Sequence, residues 1–344
     1  MGLFYLTAIL VTVLGLLFLE PMLYAMGVTD TLLPYAKRYT GIILLGAVTS
    51  TGFSSLIRAE GNSRYAMYIW VIPLSANIVL DILLIFGLGL GETGAALGTV
   101  LAQSISMYMS IYYFFLSGKS ILSLTLRHFI PDWRILREVI LIGIPSFLQL
   151  SGYSVSILIV NVFLKKYSGD LGLSTYGIVS KINTLLLFPI TGLAQGIQPI
   201  IGYNQGAGKN RRVKETLGKA YRIAAGYSVV TYGIILCFAP IMLRMFTPEN
   251  EVIDTGSTIL KIINTGLMFS SLQYIQSTYF QAIGKKLTSA LLALCNQVIC
   301  FVPAIFVMSS LYKENGIWFS FPVSAMLALI VSSVFTVHTV KKAN

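Results

Sequence analysis

Asn77 and Asp81 stand four residues apart in the apolar run 66–88, and Thr99 lies near the start of the next run, 94–116. Four residues make one helical turn, so the amide and the carboxylate share a face. Of thirteen acidic residues, Asp81 alone sits deep inside such a run. A carboxylate at membrane depth costs on the order of 3 kcal/mol even on lenient insertion scales, and it is kept mainly where it handles ions, protons or substrate. Asp81 lies about seven residues from the outer end of its run and Thr99 about five from the outer end of the next, which puts both roughly 8–10 Å below the outer boundary. The link between the runs is short, so they are expected to be antiparallel neighbours and the three groups to converge. All three offer oxygen to a hard cation, and Asp81 alone can take a proton. The plainer alternative is that Asn77 and Thr99 hydrogen-bond a neighbouring backbone.

The elements that must position these groups are helices in a bilayer. The 344 residues are 56% hydrophobic and 11% charged, with a mean hydropathy of +0.79, whereas soluble domains carry about 25% charged residues. On the ruler of about 20 apolar residues per helical crossing, ten spans are predicted: 1–19, 39–57, 66–88, 94–116, 139–164, 173–201, 220–246, 257–283, 288–311 and 317–340. Spanning strands would be shorter and alternating. The first run lacks a charged leader, and Glu20-Pro21 is a poor cleavage site, so it is read as a retained helix.

The net charge of +11 has a membrane explanation. With residue 1 inside, sixteen Lys and Arg fall in inward loops and six in outward loops or helix ends. That is the positive-inside bias. It predicts cytoplasmic termini in a cell membrane and removes the case for nucleic acid. Cys237, Cys295 and Cys300 lie within spans, which implies no disulfide framework. His128 and His338 are far apart, and no metal-site spacing occurs. Gly202-Tyr-Asn-Gln-Gly-Ala-Gly208-Lys209-Asn210 has the wrong spacing for a phosphate loop and no hydroxyl after its lysine. Without an ATP motor, uphill transport must draw on an ion gradient.

The chain also repeats itself at a spacing of 220–223 residues. Pro21-Met22-Leu23 matches Pro240-Ile-Met-Leu243, Ser54–Gly61 matches Ser277–Gly284, and Gly91-Glu-Thr-Gly94 matches Lys313-Glu-Asn-Gly316. An even number of spans separates the copies, so this is a direct repeat about an axis along the membrane normal. The expected architecture is all-α and polytopic, with two pseudo-symmetric lobes of four and six helices. The lobes are 1–118 and 139–344, and a basic cytoplasmic linker, 119–138, joins them. Partners for the fifth and sixth spans would fall before Met1, so the first lobe is expected to lack two helices. In the linker, Trp133, Ile135 and Leu136 suggest a short interfacial helix.

Lys181 is the only basic residue well inside a span. It is a candidate for substrate contact or gating together with Tyr153 and Gln149, although a lysine near a helix end also snorkels outward. Six prolines, at 73, 145, 189, 199, 303 and 322, permit kinks. Gly192-Leu-Ala-Gln-Gly196 permits close helix approach.

These stretches resemble the MATE (multidrug and toxic compound extrusion) family. The resemblance rests on Asn77-Ile-Val-Leu-Asp81, Gly94-Ala-Ala-Leu-Gly-Thr99, Gly143-Ile-Pro-Ser146, Tyr176-Gly-Ile-Val-Ser-Lys181 and above all Gly192–Ala207. It covers essentially the whole chain, from the second half of the family's amino-terminal lobe onward. The resemblance implies twelve helices in two six-helix lobes around a central cleft, exchanging Na⁺ or H⁺ for amphipathic organic cations with no other cofactor. The family's amino-lobe cation site matches Asn77, Asp81 and Thr99. A further aspartate on the family's first helix has no counterpart here, and Tyr153 stands where some members carry an acidic residue. Two alternatives stay open: a lipid-linked saccharide flippase of related architecture, and a non-transporting membrane fragment. Paired catalytic groups, as an enzyme would need, are missing.

Overall fold

The computed structural model describes residues 2–25, 30, 33–49, 53–122 and 133–342, and these form helices with no strand among them. The first group comprises α1 (Gly2–Leu17), α2 (Leu19–Ala25), α3 (Leu33–Leu45), α4 (Phe53–Ala59), α5 (Ser63–Asp81) and α6 (Gly91–Ile111). The second comprises α7 (Trp133–Tyr167), α8 (Gly169–Gly206), α9 (Asn210–Arg244), α10 (Asn250–Asn264), α11 (Leu267–Ala282), α12 (Lys286–Leu294), α13 (Phe301–Tyr312) and α14 (Glu314–Lys342). Two compact units result, Met1–Leu136 and Arg137–Asn344.

Seven helical stretches among the described residues are long and apolar enough to cross a bilayer: Leu33–Ala59, Ser63–Gly87, Trp133–Tyr167, Leu171–Gly206, Asn210–Arg244, Lys286–Tyr312 and Glu314–Thr339. The other three expected spans fall on α1, on α6 and on α10 with α11. The run 257–283 is broken. The N–H groups of Thr265 and Gly266 donate back to Ile262 and Ile263 at 3.2 Å, which tightens the last turn of α10 before α11 begins. Averaged over the span, hydropathy does not separate the two helices, although Asn264-Thr265-Gly266 mark the place. A second difference lies at Trp133, Ile135 and Leu136, which form the first turns of α7 rather than a separate interfacial helix. The rest of the linker, 123–132 with Arg127 and His128, lies outside the described residues.

In the first unit, α5 begins where the Asn62 side chain accepts from the Tyr65 N–H at 3.1 Å, the usual N-cap bond. It packs on α6 at small residues, with Gly98 against Asp81 and Ser106 against Ile69, and Gly94, Ala96, Gly98, Ala102, Ser106 and Ser110 of α6 are all buried. Ser106 donates to the Ile69 carbonyl at 3.0 Å. Without a hydrophobic drive between helices in lipid, close backbone approach and such bonds hold helices together. Phe53, Ile57, Ala66, Ile69, Tyr113 and Phe114 fill the core of this unit.

The repeat reappears as a contact. A Cβ on Gly94 would sit 2.7 Å from the Leu84 carbonyl oxygen, and one on Gly316, 222 residues later, would strike the Met308 carbonyl and lie 2.7 Å from Ser309 Cα. In each copy the final helix seats a glycine on the backbone of the helix before it.

Two larger apolar clusters hold the second unit, one around Val160, Val179, Leu260 and Ile305, the other around Ile201, Leu217, Ile275 and Phe280, with a small one at Cys295, Cys300 and Ala328. Buried polar bonds tie its helices. Ser228 donates to Ser271 at 3.0 Å, Gln273 to the Leu292 carbonyl at 2.8 Å, and Ser332 to Gln276.

Candidate functional site

Asp81 is the last residue of α5. The chain passes there from α-helical into π-helical winding, Ile82–Gly87. π turns are rare and recur at functional sites. Asn77 Nδ2 donates to Asp81 Oδ1 at 3.1 Å, and both residues are half-buried. The same oxygen rests on α6 at Gly98, where a Cβ would collide with it. Helix four-residue spacing thus supplies the amide, and the absent side chain of Gly98 makes room for the carboxylate.

Thr99 follows Gly98 and is half-buried. Its hydroxyl donates to the Ala95 carbonyl of its own helix at 3.0 Å. Among the described residues no hydrogen bond joins Thr99 to Asp81 or Asn77, and no ion pair involves Asp81. The structure therefore brings two of the three predicted groups into direct contact. The Thr99 oxygen keeps acceptor capacity after donating its proton.

Gln149 and Tyr153 lie elsewhere, in the second unit, on the wall of a cavity of about 310 Å³. The other side-chain amides on that wall are Asn183, Asn264, Asn296 and Gln297, and its aromatic faces include Tyr176, Phe188, Phe301 and Phe321. Among the described residues, no charged one lines it. Lys181 is exposed on α8 and is not part of that wall. Sequence reasoning passed over Asn183, Asn264, Asn296 and Gln297. The signal available was the presence of amides inside apolar runs.

This is an all-α, multi-pass membrane protein with polar sites built inside its helices. A model of the MatE family matches residues 1–83 and 145–306, and the chain belongs to that family, one of transporters rather than enzymes. It is 30% identical over 292 residues to the multidrug export protein MepA of Staphylococcus haemolyticus, covering 83% of this chain and 64% of that protein. Against MepA of Staphylococcus aureus it is 27% identical over 328 residues, covering 94% of this chain and 72% of that protein. The chain thus spans about two thirds of the length of these relatives. Among solved structures, an outward-facing multidrug resistance MATE family transporter superposes with a TM-score of 0.94 at 23% identity, covering 99% of this chain and 77% of that one. A MATE in a bent conformation gives 0.91 at 23% identity with the same coverage. At that identity the likeness establishes the fold.

Proposed function

We propose that the chain works in a cation-coupled antiporter that exports small amphipathic organic cations across the cell membrane, with Na⁺ or H⁺ as the coupling ion. The observation that carries this reading is the Asp81 carboxylate. It sits inside a span with an amide donor but no cationic partner among the described residues, at the junction with a π turn. A carboxylate so placed is costly unless it has work to do. Binding of one coupling cation neutralises it. Neutralisation weakens the charge-assisted bond from Asn77 and relaxes the hold on Gly98, so α5 and α6 respond to occupancy. Thr99, one residue beyond Gly98, would add a neutral oxygen ligand.

The relatives named as multidrug export proteins support the drug substrates. The charge asymmetry of the loops supports cytoplasmic termini, with 1–118 and 139–344 as the two lobes and 119–138 as their link. Lys181 remains a proposed substrate or gating contact, and Gln149 and Tyr153 remain proposed substrate or gating contacts on a wall that carries no charge among the described residues. A pyrophosphate-bearing saccharide would want a cationic site, and the cavity of the second unit has no basic residue on its wall.

Ethidium efflux from cells expressing the protein tests the proposal. Efflux should depend on the Na⁺ or proton gradient and fall to background in Asp81→Asn. Full efflux from Asp81→Asn would remove the coupling role.

A further inference from the structure

The helices around the cavity of the second unit are irregular at the level of the cavity itself. Asn264 and Leu267 line it from either side of the break between α10 and α11. Asn296 and Gln297 line it from the π turn Cys295–Ile299, where the Cys300 N–H reaches back five residues to the Cys295 carbonyl at 2.8 Å. Phe321 and Ser324 line it from beside Pro322, inside α14. Each irregular segment is braced by a neighbouring helix. A Cβ on Gly266 would lie 2.7 Å from Pro322 Cα, and Ser156 of α7 donates to the Gln297 carbonyl within the π turn. Irregular backbone at membrane depth is tolerated where it is buried in protein or lines a cavity, and π turns mark functional sites. Two interrupted helical runs and a proline-bearing third meeting at one cavity make a built site rather than a packing fault.

The chemistry of the wall selects the occupant. Amides and hydroxyls give donors and acceptors, and aromatic rings give apolar faces. Asn264 spends its Nδ2 on the Leu260 carbonyl at 2.9 Å while its buried Oδ1 has no protein partner. Among the described residues of the wall there is no carboxylate to balance a cation and no basic group to balance an anion. A full charge would exchange its water there for ring faces and neutral dipoles alone, with no counter-ion, whereas the unpartnered Asn264 Oδ1 calls for an N–H or O–H donor. Pockets of about 300 Å³ and upward take drug-sized molecules, which sets this one above the needs of a bare ion. We propose that this cavity is a binding site for uncharged aromatic molecules carrying an N–H or O–H donor, a ligand class beyond organic cations. The inference rests on the reading of this protein as an exporter of small organic molecules, but the site does not involve Asp81.

The test is equilibrium binding to the purified protein in detergent, corrected for protein-free micelles, with no ion gradient present. The probe is N-phenyl-1-naphthylamine, which is uncharged with one N–H, and tetraphenylphosphonium is the comparison, bulky and aromatic but permanently charged and without a donor. The naphthylamine should bind saturably. Gln149→Leu on α7 and Asn183→Leu on α8 should each weaken it by about three- to tenfold, the loss of one hydrogen bond, with melting temperatures near that of the parent. Two variants on different helices guard against one misfolding. Absence of saturable naphthylamine binding, or binding indifferent to both variants, would overturn the proposal. So would tetraphenylphosphonium binding that shows the same losses. Because no gradient is applied, failure of coupling at Asp81 leaves this result standing.

Discussion

Asp81 Oδ1 occupies the space that a side chain on Gly98 would need. A carboxylate of α5 is therefore lodged against the backbone of α6, held from its own helix by Asn77 at 3.1 Å. Adding a methyl group at position 98 tests this lodging without touching a charge. The obstructing atom is the free end of a side chain, so Gly98→Ala should cost no more than about 1–3 kcal/mol in stability. It should still displace the carboxylate and abolish coupling. Ethidium efflux and thermal melting, measured side by side, check the split: efflux lost with folding retained.

Gly94→Ala and Gly316→Ala meet a different obstacle. Both Cβ atoms would strike the backbone of the preceding helix, at Leu84 and at Met308. A helix cannot step aside as a side chain can. Both variants should be destabilised beyond Gly98→Ala, by at least about 1–3 kcal/mol, and by similar amounts, since the two contacts are copies of one another. Detergent melting curves of the three alanine variants give the comparison.

Much of this was legible in the sequence. Apolar length places the helices, and the spacing of 77 and 81 places the amide beside the carboxylate. The repeat marks Gly94 and Gly316 as equivalent, though only the structure shows what they touch. Thr99 was less legible, because a helical threonine can satisfy itself on the carbonyl four residues back, as it does at Ala95. The break at Thr265–Gly266 and the π turn at Cys295–Ile299 carry polar residues, Asn264-Thr265 and Asn296-Gln297, but the spans around them still average as apolar, so neither segment marks itself as a break. Hence the amides around the second cavity could not be grouped from sequence alone.

Glu60 closes the end of α4 onto the segment that leaves α6. Its Oε1 accepts from the Ser120 hydroxyl at 2.8 Å and from the Leu122 N–H at 3.3 Å. Glu60→Ala removes both, at about 1.5–3 kcal/mol for hydrogen bonds to a charged group. Hydrogen exchange should quicken at residues 117–122 and stay unchanged in α9. Unaltered exchange at the segment would show that the tether does not hold it.

The charge asymmetry predicts that Glu251→Cys reacts with a membrane-impermeant thiol reagent added outside intact cells, and that a cysteine tag after Asn344 does not. Labelling of the tag in sealed cells would reverse the orientation.

Binding of the coupling cation at Asp81 should make the stability of the protein depend on that cation. A ligand that binds the folded state alone stabilises it, by about 2.7 kcal/mol at a hundred times its dissociation constant. The purified protein is melted across a series of NaCl concentrations at constant ionic strength, and across a pH series without Na⁺. The parent should respond to one of the two cations, and Asp81→Asn, folded and otherwise similar, should lose that response. The same dependence in Asp81→Asn as in the parent would contradict cation binding at Asp81.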